Sequence, residues 1–139
     1  MHLVVTPPVE SITPQRMLLG SNFKIGPATD TWYEVSSGWS SNPTYPAVVT
    51  GNALQVTGDA TVAVTVNWTL DTTFSAPAYV RVLRNGTVVY ESTARTADGG
   101  YVESFSLTVA DGDLLTIQAK LTGSFTAVYV MNGSYLDIR

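Results

Sequence analysis

The 139-residue chain contains no cysteine, and its only histidine is His2. Without cysteine there can be no disulfide, no thiolate nucleophile and no Cys-ligated zinc. With the one histidine beside the initiator Met, a Ser-His-Asp triad inside the domain is not expected. Charge is scarce too. Asp, Glu, Lys and Arg make up 13% of the residues, lysine occurs only twice, and the net charge is −4. Seven basic residues against eleven acidic ones argue against a nucleic-acid backbone as partner, because that surface demands clustered Lys and Arg. No apolar run approaches the roughly 20 residues of a membrane-spanning helix, so membrane insertion is not expected. Residues 1–20 show neither the basic start nor the unbroken apolar stretch of a secretory signal.

What is abundant points one way. Hydrophobic residues make up 45% of the chain, and threonine occurs 19 times. Thr and Val suit a pleated, half-buried surface, whereas Lys, Glu and Leu fill helices. A chain of this length is one domain plus at most a short arm, and it is long enough to bury a core without covalent staples.

Strand signals become regular from residue 31. A first strand is expected over 31–36, then a Ser/Gly/Asn/Pro-rich loop over 36–46, then short strands over 47–50 and 53–57. The clearest strand is 61–70, with Val62, Val64, Val66, Trp68 and Leu70 on one face and Thr61, Ala63, Thr65, Asn67 and Thr69 on the other. Burying that face contributes on the order of 10 kcal/mol before entropy losses. Strands over 78–84 and 87–92 flank Asn85-Gly86, a pair suited to a type I′ turn because both central residues take positive φ. Residues 101–109 alternate as well, but Glu103 falls on the apolar side, so that end of the strand is expected to be exposed. Strands over 114–121, 125–131 and 134–138 complete the series. No segment carries a 3.6-residue apolar stripe with a capping box. The pattern predicts an all-β, antiparallel β-sandwich of the jelly-roll kind, with turns about every 8–12 residues.

Residues 1–30 read differently, as an extended N-terminal arm or docking segment preceding a β-sandwich domain over 31–139. Short apolar pieces are cut by Pro7, Pro8 and Pro14, which cannot donate to a ladder. Val4, Val5, Val9 and Ile12 are the candidate docking residues. Met17, Leu18, Leu19, Phe23 and Ile25 are too apolar for a free linker and should pack either on this domain or on a neighbouring subunit. Strand 125–131 is apolar on both faces, which fits cover by the arm or burial between subunits. Phe125, Tyr129 and Met131 are its candidate interface residues.

Few motifs carry chemistry. Asp111-Gly112-Asp113 lacks the spacing and distal Glu of a calcium loop and reads as a tight turn. The Asn67, Asn85 and Asn132 glycosylation patterns coincide with a core strand and two Asn-Gly turns. Glu34, Glu91, Glu103, Asp59, Asp71, Asp98 and Asp137 are scattered, with nothing local pairing any two for glycoside hydrolysis. Trp32, Tyr33, Trp39 and Tyr45 form an aromatic group. They read either as core or interface anchors or as a sugar-stacking face, with Trp39 and Tyr45 the candidate glycan or partner contacts.

The order of features from Gly38 onward resembles the C1q/TNF-like jelly roll: Ala53-Leu-Gln-Val-Thr-Gly-Asp-Ala-Thr-Val, the Val80-Arg-Val-Leu-Arg-Asn-Gly hairpin, Leu107-Thr-Val-Ala-Asp-Gly-Asp-Leu-Leu-Thr-Ile and Tyr135-Leu-Asp-Ile. The same course is similar to the small minor tail proteins of actinobacterial (mycobacteriophage-type) tailed phages. The shared pieces are Gly38-Trp39 to Tyr45-Pro46, Leu83 to Val89 and Ala110 to Gln118, within a likeness that covers most of 31–139. The resemblance implies a virion structural protein, tail-associated, homotrimeric, without catalysis or cofactor, located in the phage particle after assembly in the host cytoplasm. Its implied partners are other virion proteins and a host cell-surface glycan, and the arm would add a strand to a neighbour's sheet edge. The chain departs from collagen-bearing C1q relatives in having no Gly-X-Y stalk. Alternatives are a capsid decoration protein clamping capsomers through the arm and a free carbohydrate-binding module.

Overall fold

The computed structural model describes residues 11–72, 76–123 and 127–139. The described residues hold strands and no helix: β1 (Gln15–Leu19), β2 (Phe23–Lys24), β3 (Tyr33–Glu34), β4 (Trp39–Ser41), β5 (Val48–Thr50), β6 (Ala53–Gln55), β7 (Ala60–Thr72), β8 (Ala78–Arg84), β9 (Thr87–Glu91), β10 (Gly99–Val109), β11 (Leu114–Leu121), β12 (Val128–Val130) and β13 (Tyr135–Ile138). Every pairing is antiparallel. The first sheet runs β2-β12-β7-β13-β1-β4 with β10 also on β7, and the second runs β5-β6-β11-β8-β9 with β3 also on β11.

β7 organises the first sheet. One edge pairs with β10 from Ala60 to Leu70, while the other is shared by β13 and then β12. Its side chains alternate as the sequence predicts. Val62, Val64, Val66, Trp68 and Leu70 are at most 3% exposed and pack with Val80, Val82, Leu115 and Ile117 of the second sheet. The Asn85-Gly86 hairpin has φ of 50° and 82°, as a type I′ turn needs. Asn85 also ties that hairpin to the 110–113 turn, donating to Asp113 Oδ1 (2.9 Å) and accepting from the Leu114 amide (2.9 Å).

The N-terminal stretch is where expectation and structure part. Residues 15–25 are not an extended arm: β1 lies inside the first sheet, between β13 and β4. Gln15, Met17 and Leu19 alternate inward and are buried, and so is Ile25. The physical reason is the two-residue period of 15, 17 and 19, which fills the sheet beside β13; all three prolines read as arm signals precede it. Ile12 packs against this same core, with Cγ2 close over Gly58. Val4, Val5 and Val9 lie outside the described residues. At the turn after β1, a Cβ on Gly20 would stand 2.7 Å from the Gly38 carbonyl oxygen, so only glycine lets these two backbones meet.

Candidate functional site

Three clusters of polar and charged side chains stand out, and each surrounds or abuts a different face of the sandwich. The first sits at the edge where β10 and β9 face one another. Glu103 is 2% exposed, contrary to the expectation that its end of the strand is open. Its carboxylate accepts from Trp68 Nε1 (2.8 Å), from the Tyr90 hydroxyl (3.0 Å) and from Arg95 Nη2 (3.1 Å to each oxygen). The donors arrive from β7, β9 and the 92–98 loop, whose Arg95 bridges Ala78 through paired backbone bonds. Tyr90 stacks on Phe105 (4.7 Å between centroids), and Tyr101 tilts against Trp68. Burial, reinforced by the hydrogen bond to Glu103 and its charge, raises the Tyr90 pKa above the ordinary tyrosine value, with Arg95 opposing. The cluster is a clasp joining the two sheets.

The second cluster lies on the outer side of the first sheet. Asp137 on β13 is 2% exposed and takes Arg16 Nε at 2.9 Å and Arg139 through Nε (2.9 Å) and Nη2 (3.0 Å). Burial alone would raise its pKa; the hydrogen bonds and charges of Arg139 and Arg16 outweigh that and hold it below the usual carboxylate range. Arg16 lies over the Tyr135 ring (3.9 Å) and Tyr45 (4.8 Å), and Arg139 lies over Tyr45 from 4.8 Å. Tyr45 is thus half-buried and committed to cation–π contacts. Asp137 was expected to be one of several scattered surface acids. Its partners are 121 residues away in sequence and two residues away, and only the β1–β13 pairing unites them.

Trp39 takes the anchor position of its two readings. It points inward from β4 at 8% exposure, with Nε1 donating to the Val35 carbonyl (2.7 Å), because the large apolar indole fills the core at the sheet edge. Of the candidate interface residues, Phe125 lies outside the described residues. Tyr129 projects outward from β12 between inward Val128 and Val130, and Met131 is half-buried just after the strand. On the same outer face, β10 presents Val102, which at 61% is the most exposed of the large hydrophobics named among the described residues.

The third cluster covers the outer side of the second sheet. Arg81 stands 4.3 Å and Lys120 4.8 Å from the Trp32 ring centroid, and Lys120 also caps Tyr79. Beside it, where β6 and β3 diverge along one edge of β11, a groove of about 420 Å³ opens. Asn52 donates to Glu34 across its wall (3.0 Å), and Arg81 Nε donates to Gln118 Oε1 (2.8 Å) at its end. Among the described residues no three His, Cys, Asp or Glu come together as metal ligands. Asp111 and Asp113 are spent on loop structure: Asp111 accepts from the Gly58 amide, and Asp113 accepts from the Ala110 amide, which together with Asn85 lowers its pKa against a smaller burial effect.

No protein-family model matches the sequence, and no curated protein matches it. Solved structures do. Murine APRIL aligns with TM-score 0.59 at 16% identity, over 90% of this chain and 97% of that one. The Eiger TNF of S. frugiperda gives 0.56 at 13%, over 89% of each chain. Rabbit GITRL gives 0.51 at 16%, over 89% and 92%. At these identities the likeness shows the fold: a TNF-like jelly roll built as an antiparallel sandwich.

Proposed function

We propose that the chain is a non-enzymatic structural protein of a phage virion, tail-associated, that assembles as a homotrimer through the outer face of its first sheet. The observation that carries this is the placement of Val102, 61% exposed, on the same face as half-buried Tyr129. A large apolar side chain so exposed marks a contact surface when others share its face. The TNF-like jelly roll and the phage-type sequence motifs support the trimer and the virion role respectively. Capsid decoration is the second reading, resting on the proline-cut apolar segment that carries Val4, Val5 and Val9.

Light scattering of the purified chain at micromolar concentration should give the mass of three protomers, and Val102→Glu should convert it to monomer. A wild-type monomer overturns the trimer. Immunogold labelling of particles distinguishes tail from capsid, and absence from both overturns the virion role.

A further inference from the structure

We propose that the groove on the outer side of the second sheet binds a neutral pyranose ring of a saccharide. This goes beyond the assembly role and uses the face opposite to it. The floor of the groove is β11, which β8 pairs along one edge and β6 and β3 along the other. A peptide strand therefore finds no free ladder groups there, and recognition falls to side chains. Those side chains suit a sugar. Leu114, 37% exposed, offers aliphatic surface for the C–H side of a ring, above buried Leu83. Hydrogen-bonding groups without a protein partner among the described residues stand around them. They are Glu34 Oε1 and Asn52 Oδ1 as acceptors, the Gln118 amide nitrogen as donor and the Thr116 hydroxyl as either. Alternating acceptors, donors and aliphatic patches are the complement of a polyhydroxylated ring.

Charge narrows the class. The Glu34 carboxylate stands in the wall and disfavours an anionic sugar. The neighbouring cations are engaged elsewhere: Arg81 and Lys120 are turned to the Trp32 and Tyr79 rings, Arg81 also to Gln118, and Arg84 donates to the Thr108 carbonyl. A volume of about 420 Å³ accommodates one or two rings rather than a long chain. The glycan contact expected at Trp39 and Tyr45 thereby moves to the other sheet.

The test is a glycan array of neutral hexose, N-acetylhexosamine and deoxyhexose oligosaccharides beside sialylated and sulfated ones, followed by NMR titration with the best neutral member. Thr116→Val keeps the shape of the strand residue and removes only the hydroxyl. Gln118→Ala removes the donor, and Thr96→Ala, in the exposed loop before β10, serves as control. Circular dichroism establishes that all three fold as the wild type does. The expected result is a neutral ligand whose affinity falls about tenfold in each groove variant and is unchanged in the control. No neutral binder, binding confined to acidic glycans, or binding indifferent to both groove variants overturns the proposal. A trimer that binds no sugar, or a monomer that does, separates its failure from that of the assembly reading.

Discussion

Replacing Glu103 tests whether the clasp between the sheets is held by charge, by hydrogen bonds or by neither. Glu103→Leu fills the site but leaves Trp68 Nε1 unbonded on a side chain 1% exposed, and strips Arg95 of its partner. Losing one partner of a buried pair costs about 3–5 kcal/mol. Arg95 keeps 29% of its side-chain surface in water, which screens the orphaned charge and places the loss near the lower end, about 3 kcal/mol. Glu103→Gln retains an acceptor for Trp68 and the shape, so it should cost only about 1–1.5 kcal/mol. Urea unfolding followed by tryptophan fluorescence, at one fixed protomer concentration, reads both values directly. If the two variants fall within about 0.5 kcal/mol of each other, the unmet Trp68 donor and the unpaired Arg95 carry no weight and the reasoning fails.

Asp137 offers a pH test. Its folded pKa lies below the unfolded value near 3.9, so its contribution is present above that value and is lost as the pH falls through the folded one. Asp137→Asn should therefore cost about 2 kcal/mol at pH 7 and much less near pH 3 by urea unfolding; an equal cost at both pH values contradicts the ion-paired assignment. Gly20→Ala should lower stability by about 1–3 kcal/mol, because the new methyl meets the Gly38 carbonyl at 2.7 Å and backbone must move; a Tm equal to wild type refutes the close approach. Trp39→Ala should cost about 3–5 kcal/mol through the cavity it leaves, and should spare glycan binding measured on folded protein at low temperature.

Where local pattern and burial agree, the sequence is legible. The alternation over 61–70, the Asn85-Gly86 turn and the strands 78–84 and 114–121 all sit where periodicity and turn chemistry place them. The misreadings of Glu103 and β1 share one cause, which is partners outside the local pattern. Glu103 on an apolar face looks like an exposed strand end until Trp68, Tyr90 and Arg95 converge on it from 35, 13 and 8 residues away. β1 hides among prolines because its partners are β13 and β4, although the Gln15, Met17, Leu19 period was a readable signal. Trp39 could be anchor or platform from sequence, and its bond to Val35 decides for anchor. The groove had no signature at all, since its walls come from three separate turns and strands.

The position of β13 sets an order for folding. It is the last strand in sequence yet the middle of its sheet, pairing β7 on one side and β1 on the other. Until β13 is in place, β1 has only β4 as a ladder partner, and Met17 and Leu19 have no completed core to enter. The first sheet can close only once residues 135–138 are in place, which makes folding of this half dependent on contacts more than a hundred residues apart. Truncation by even these four residues would open the sheet at its centre rather than trim an edge.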